Sequence, residues 1–407
     1  MFTPSAGGGH ARYSRELLTA LARAGRGRYE FELITSEDVE PQFRSADAYR
    51  VNAVLPALRE RSAYRSRAAW ALSRVTHYVR RELRLLNWLK SRPDVDAVHF
   101  QEWTPWLAAP VFRRVRGMGK KVFYTVHNVV PHKYPALVPK SVMHGWMRKA
   151  RKLADGLFVH TEQLAGEVVE FLREDRAKLP PITVSPHGVW SIDDAETLPP
   201  LSRRLRERKL LFFGRIRRNK GLDLLLRAAR QLSGGGYTIT IAGEPADRDY
   251  FATEIVPLIE QARAAGVRIE LLDRFIGDDE VGPLFRSHGA LVLPYTQEFV
   301  AQSGVLFMAL AYELPVIASE VGGLRDVFED YRIGTTFSQY TPEALASAVN
   351  ELHAGESVPS LLRDMRAARE RFSWDAAARA TLGGYAAAMG EVNERVNDCR
   401  VETTAAA

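Results

Sequence analysis

Cysteine is almost absent from this 407-residue chain, whose only thiol is Cys399. One thiol supports neither a disulfide framework nor a cysteine metal site, so a reducing, cytoplasmic setting is the expectation. Long apolar runs are missing too. No stretch approaches the roughly 18 residues that a membrane-spanning helix needs, and the first residues carry no basic-then-apolar leader. Metal-ligand spacings such as His-x-x-Glu-His do not occur. The acidic pairs Asp193-Asp194 and Asp278-Asp279 stand alone, and the second reads as acids in the first turn of a helix. The expectation is no metal and no cofactor.

Charge is present but unevenly placed. The chain has a net charge of +7 with an apolar fraction of 46% and a charged fraction of 26%, values of an ordinary globular protein. Residues 1–185 hold 31 Lys and Arg against 18 Asp and Glu, whereas residues 186–407 hold 25 against 31. A basic first half beside an acidic second half gives one face suited to a polyanion, either anionic lipid or nucleic acid. The length calls for two domains of about 180–200 residues.

Strand-like runs alternate with helical patterns along most of the chain. In the first half, strands are expected at 29–35, 97–100, 121–126, 156–160 and 182–185, with helices at 11–24, 62–91, 106–118 and 142–154. In the second, strands at 210–213, 237–242, 268–272, 290–294 and 315–319 alternate with helices near 222–232, 250–265, 278–287 and 303–312. Short buried strands spaced by helices imply parallel sheets. The expected fold is α/β, two Rossmann-like domains facing across a cleft. Residues 1–189 form the first domain, 190–208 a linker, and 209–374 the second domain. Residues 375–407 hold an Ala-rich helix and a tail. A Gly-rich loop begins only a few residues into the chain, so the strand that should feed it is either incomplete or part of an irregular sheet edge.

Residues 210–220, LLFFGRIRRNK, carry the strongest chemistry. An apolar strand stops at Gly214, Arg215 and Lys220 lie five residues apart, and a helix starts after Gly221. Two cations at the carboxyl end of a buried strand, beside a helix N-terminus, form a site for a diphosphate. Gly8 and Gly9 lie in a second glycine-rich turn that opens a helix, where backbone can approach a ligand closely. Thr125-Val126-His127-Asn128 closes a strand, which puts the imidazole at the rim where parallel sheets bind ligands. Gln302-Ser303-Gly304-Val305 opens another helix, and the amides of Ser303, Gly304 and Val305 can hold phosphate without a metal.

Together these segments resemble the retaining glycosyltransferases of family 4, over nearly the whole chain. Gly214, Arg215, Lys220 and Gly221 match that family's G-R-x-x-x-x-K-G pattern, and the Thr-x-His-Asn stretch and His187-Gly188-Val189 match two further signatures. The Gln-Ser-Gly-Val form is similar to a subgroup acting in bacterial surface-polysaccharide synthesis. The resemblance implies transfer from a nucleotide-diphospho-sugar of UDP or GDP type. Arg215 and Lys220 would stabilise the departing diphosphate, Gly8 and Gly9 would lie under it, and His127 would reach a hydroxyl of the donor sugar. The resemblance also makes residues 1–189 the acceptor-side domain and 209–374 the nucleotide-sugar domain, and implies that the Ala-rich helix after residue 374 crosses back to pack on the first; His132 is a further acceptor-side candidate. One departure stands out. Two glutamates of the commoner pattern fall on Val300 and Met308, which cannot accept hydrogen bonds as carboxylates do. Glu298, two residues early, is the replacement for the first, and nothing obvious replaces the second.

Residues 59–92 contain ten Arg and Lys around an apolar stripe through Tyr64, Ala68, Leu72, Val75, Val79, Leu86 and Leu89. Such a helix either lies on an anionic membrane or covers a sheet with a wet basic face. A saccharide or lipid-linked acceptor and a peripheral position on the inner face of the plasma membrane follow from the first reading. No nucleic-acid motif accompanies the positive charge. The alternatives left open are a non-catalytic sugar-nucleotide binder and a basic membrane- or nucleic-acid-binding protein.

Overall fold

The computed structural model describes residues 1–59, 63–131, 134, 138–192, 198–299, 302–355 and 357–390. The chain divides into two compact units, one of Met1–Gly188 with the chain from Trp374, the other Val189–Ser373. Both are α/β with parallel strands, and each is a Rossmann-like domain.

In the first unit the strands are β1 (Glu32–Ser36), β2 (Arg50–Leu55), β3 (Ala97–Phe100), β4 (Lys121–Thr125), β5 (Gly156–Val159) and β6 (Ile182–Val184). β3-β4-β5-β6 form one parallel set and β1-β2 another. Phe2 joins them, bridging Ile34 on one side and Phe100 on the other. The Phe2 N–H donates to the His99 carbonyl at 2.8 Å, and Gln101 N–H donates back to the Phe2 carbonyl at 3.0 Å. The strand that the Gly-rich loop requires is therefore a short stub in the middle of the sheet. Fully buried Phe2, its ring 5.1 Å from that of Phe100, anchors it. With the stub as strand one, the order reads 3-2-1-4-5-6-7. β2 was not expected from the sequence. It pairs on one side only, and Leu55 is its single buried residue, so its apolar signal is weak.

The helix Gly8–Ala24 buries Tyr13, Ser14, Leu17, Leu18 and Leu21, a face repeating at helical spacing, and ends at Gly25. Ser66 caps the helix Arg67–Lys90, accepting from the Ala69 N–H. The C-terminal helix Trp374–Met389 crosses back to belong to the first unit. Its Tyr385 hydroxyl lies 2.6 Å from His99 Nδ1, and Gly384 packs so closely that a Cβ would come within 2.6 Å of the Phe158 ring.

In the second unit the strands are β7 (Lys209–Phe213), β8 (Thr238–Ala242), β9 (Arg268–Leu272), β10 (Ala290–Leu293), β11 (Val316–Ser319) and β12 (Gly334–Phe337). They run β12-β11-β10-β7-β8-β9, all parallel. Counted from β7 this is the order 3-2-1-4-5-6, which reverses direction between β7 and β10. Ligands bind at that reversal, outside the carboxyl ends of the strands. Residues 201–206, within the stretch read as a linker, form a helix packed in this unit. Its buried Arg204 donates to the Tyr312 and Glu313 carbonyls at the end of the helix Gly304–Ala311.

Candidate active site

The loop after β7 and the loop after β10 meet at the reversal point. Gly214 has φ +103 and its N–H donates to the Ala242 carbonyl, while an ideal Cβ on it would lie 3.6 Å from Val305 Cγ2. Gly221 has φ +65, and a Cβ there would come within 1.8 Å of the Pro294 carbonyl oxygen. Only glycine fits that second position. The Thr296 N–H donates to the Asn219 carbonyl at 3.1 Å, tying the two loops together.

Lys220 is the centre of this arrangement. Its Nζ sits 3.8 Å from the Tyr295 ring centroid and 4.7 Å from that of Phe299. The Tyr295 hydroxyl in turn lies 3.0 Å from the Ser303 Oγ, at the N-cap of the helix Gly304–Ala311. Among the described residues no side chain caps that helix, which leaves its first amides and the positive end of its dipole available. Trp190 donates its indole N–H to the Gly304 carbonyl at 2.7 Å and fixes the first turn. Burial, and then the charge of Arg217, pulls the Lys220 pKa down to about 7. Arg217 is itself lowered by burial and by Arg215.

Among the described residues no carboxylate pairs with Arg215, Arg217 or Lys220. Arg218 is different, held by both oxygens of Glu254. Beside this cluster, buried polar atoms of Gln302 (Oε1 and Nε2) and Thr296 (Oγ1) have no hydrogen-bond partner among the described residues. Concentrated positive charge with unpaired polar groups is suited to a diphosphate carrying a polyol.

Of the expected residues in this unit, Gly214, Arg215, Lys220, Ser303, Gly304 and Val305 come together around the reversal point. Glu298 is exposed, in the turn where Phe299 N–H donates to the Thr296 carbonyl. Met308 is half-buried in the following helix, and Val300 lies outside the described residues. Tyr295 and Phe299 escaped sequence reasoning, although both follow β10 directly.

The first unit carries a second constellation. Gly8 and Gly9 open their helix as exposed residues, with nothing within 4 Å of an added Cβ, while Gly7 packs against Glu40. His127 follows β4. Its Nε2 lies 3.2 Å from Gln101 Oε1, and its Nδ1 lies 3.0 Å from His160 Nε2. His160 Nδ1 is 3.0 Å from the Ser185 carbonyl. Tyr13 packs edge-on to His127 and His160. His10 lies 4.0 Å from Glu102, whose carboxylate also accepts from the Ser5 N–H. Burial, followed by the surrounding imidazoles, holds His127 well below the ordinary histidine range, and burial takes His160 to about 4. His160, Gln101 and Glu102 were missed by sequence reasoning. All three stand at carboxyl ends of strands, as His127 does. In the His187-Gly188-Val189 segment, a Cβ on Gly188 would meet the Trp374 ring at 2.1 Å. His132, Asp193, Asp194 and Cys399 lie outside the described residues.

Comparison with known proteins agrees along both units. Glycosyltransferase Family 4 matches residues 7–191, and Glycosyl transferases group 1 matches residues 207–354. The chain is a glycosyltransferase of the family 4 type. This glycosyltransferase is 27% identical over 414 residues to glycogen synthase of Mycobacterium tuberculosis, covering 95% of this chain and 93% of the relative. Among solved structures it shares its fold with sucrose-phosphate synthase from Thermosynechococcus elongatus. The TM-score is 0.69 at 18% identity, over 94% of each chain. It shares it also with Anabaena Alr3699/HepE in complex with UDP-glucose, at TM-score 0.66 and 14% identity over 95% of this chain and 98% of the other.

Proposed function

We propose that this glycosyltransferase moves a sugar, with retention of anomeric configuration, from a nucleotide-diphospho-sugar of UDP or GDP type to a saccharide or lipid-linked acceptor. The setting is cytoplasmic synthesis of a cell-surface polysaccharide or glycolipid, without a metal ion. The observation that carries this reading is Lys220, a lysine held on two ring faces beside Arg215, Arg217 and an uncapped helix N-terminus. Fixed positive charge there stabilises the diphosphate as it leaves, which is electrostatic catalysis of bond breaking. The bond from the sugar's anomeric carbon to the phosphate oxygen breaks, and the acceptor oxygen forms its bond to the same carbon from the same face. The acceptor proton passes to the leaving phosphate oxygen. His127 and Glu298 are the groups assigned to orienting the sugar, and Gly8 and Gly9 give backbone room in the first unit. The UDP-glucose complex of the Anabaena structure supports a UDP-type donor.

Thermal unfolding with UDP, GDP, ADP and their sugar conjugates, in the absence of added metal, tests the assignment. A ligand that binds only the folded state adds about 2.7 kcal/mol at a hundredfold excess over its dissociation constant. We expect a clear rise with one nucleotide class, lost in Arg215→Ala. No rise with any of them would point instead to a relative that no longer binds sugar nucleotides. Lys220→Ala is expected to abolish transfer while the fold persists, and near-native turnover in that variant would overturn the role given to the lysine.

A further inference from the structure

The histidine pair in the first unit has only one consistent direction of hydrogen bonding. A backbone carbonyl cannot donate, so the His160 Nδ1 facing Ser185 must carry a proton. The Ser185 carbonyl is itself fixed. Its N–H donates to Val159 at 2.7 Å, and its hydroxyl contacts the Ala377 carbonyl and the Thr381 hydroxyl on the C-terminal helix. In a neutral imidazole the other His160 nitrogen, Nε2, is then an acceptor, and the His127 Nδ1 that meets it must be the donor. That leaves His127 Nε2 with a lone pair. Gln101 agrees once its carboxamide is turned by half a rotation, which presents the N–H2 group to that lone pair in the ligand-free protein and puts the carbonyl oxygen where the unpartnered Nε2 stood. Burial keeps both rings neutral.

We propose that His160 is the positioning residue for His127. By accepting from His127 Nδ1–H while donating to Ser185, it holds His127 with an acceptor at Nε2, so that a saccharide hydroxyl, and not an anionic oxygen, can replace the Gln101 N–H2 on that lone pair. The proposal rests on the glycosyl-transfer reading and specifies the chemistry of one of its groups. His127 is partly exposed at the end of β4, where a ligand can reach it, whereas His160 is buried and acts only through its neighbour. A phosphate or carboxylate oxygen has no proton to offer that lone pair; a hydroxyl has one.

The test is nitrogen-15 NMR of the histidine side chains in the ligand-free full chain, which distinguishes the two neutral tautomers without any need for turnover. His127 is expected as the Nδ1–H form, and the Nε2–H form would overturn the proposal. His160→Leu removes both hydrogen bonds and is expected to give a mixture of His127 tautomers, with kcat/KM lowered about tenfold. His160→Gln offers an N–H2 donor and a carbonyl acceptor, and is expected to restore both readouts. A merely structural histidine would give losses that track melting temperature and leave the tautomer unchanged, which also overturns the idea. The Nδ1–H form in a chain that transfers no sugar would support the relay and count against glycosyl transfer alone.

Discussion

Lys220 binds its environment through ring faces and lacks a carboxylate partner among the described residues, and the consequences can be measured. Its ordinary pKa of 10.5 falls to about 7 in the folded protein. Between those values the unfolded chain carries the extra proton, so this group's contribution to folding improves as pH rises from 7 toward 10.5. Below 7 its destabilising effect is fully present. Removing the charge should therefore stabilise the free protein. Lys220→Met is expected to raise the melting temperature at pH 7, by roughly 2–4 °C for each kcal/mol relieved, while nucleotide binding is lost. The same lysine must be protonated when it holds a diphosphate. Binding should take up a proton above pH 7, and affinity should fall by about tenfold per pH unit there. Titration calorimetry in buffers of different ionisation enthalpy checks this, and a buffer-independent heat would remove Lys220 from the anion site. The sequence showed that this residue and Arg215 end a strand together. It could not show the rings beneath the ammonium, because Tyr295 and Phe299 come from a loop some 75 residues away and look like ordinary core residues until the sheet order places them.

Elements differ in how plainly the sequence announces them. Central strands such as β4 and β10 are built on apolar runs, buried except for Lys121 at the start of β4, and were located to within a residue or two. β2 and β12 were not. β2 is a half-exposed edge strand, and β12, Gly-Thr-Thr-Phe, is short and mixed in polarity. The helix Arg67–Lys90 carries a continuous stripe that the fold uses in two ways. Toward its C-terminus Arg81, Glu82, Leu85 and Leu89 are buried, with the Arg81 guanidinium 2.6 Å from Glu82 and 2.7 Å from the Thr104 hydroxyl. Toward its N-terminus Leu72 is 66% and Val75 49% exposed, beside Arg65, Arg74 and Arg80. Periodicity alone could not divide the stripe, since a core face and a lipid face share the same spacing. The expectation of an anionic membrane surface can be tested on this exposed half. Flotation with vesicles containing phosphatidylserine should recover the protein at low salt, helped by about 1 kcal/mol for each basic residue near the surface. Leu72→Glu with Val75→Glu should abolish recovery and leave melting unchanged, because neither side chain is buried. Equal recovery with neutral vesicles would exclude the electrostatic part.

At the scale of the whole molecule, the two units differ in how the chain builds them. The second is one continuous segment, Val189–Ser373, with its six strands, the Lys220 cluster and the uncapped helix all inside it. The first is discontinuous, since it takes its final helix from beyond residue 373. That helix supplies buried Trp374, Ala377, Thr381 and Tyr385, a tyrosine hydroxyl on His99, and two contacts to Ser185, whose carbonyl ends the histidine relay. The sequence marked the helix as Ala-rich and the family resemblance implied its return, but composition alone could not show what it touches. Residues 189–373 expressed alone should fold cooperatively and retain the nucleotide-dependent rise in melting temperature, weakened by whatever the intact protein adds. Residues 1–188 alone should not fold stably. Without the helix, His99, Phe158 and Ser185 lose their cover, and large buried side chains left facing water each cost about 1.5–3 kcal/mol against a total stability of about 5–15 kcal/mol. Joining residues 374–390 to 1–188 through a flexible Gly/Ser linker should restore cooperative unfolding, as the missing piece needs proximity and not the intervening segment. Circular dichroism melts of the three fragments decide the matter. A stably folded 1–188 fragment would show that the C-terminal helix is an accessory to the first unit and not a part of its core.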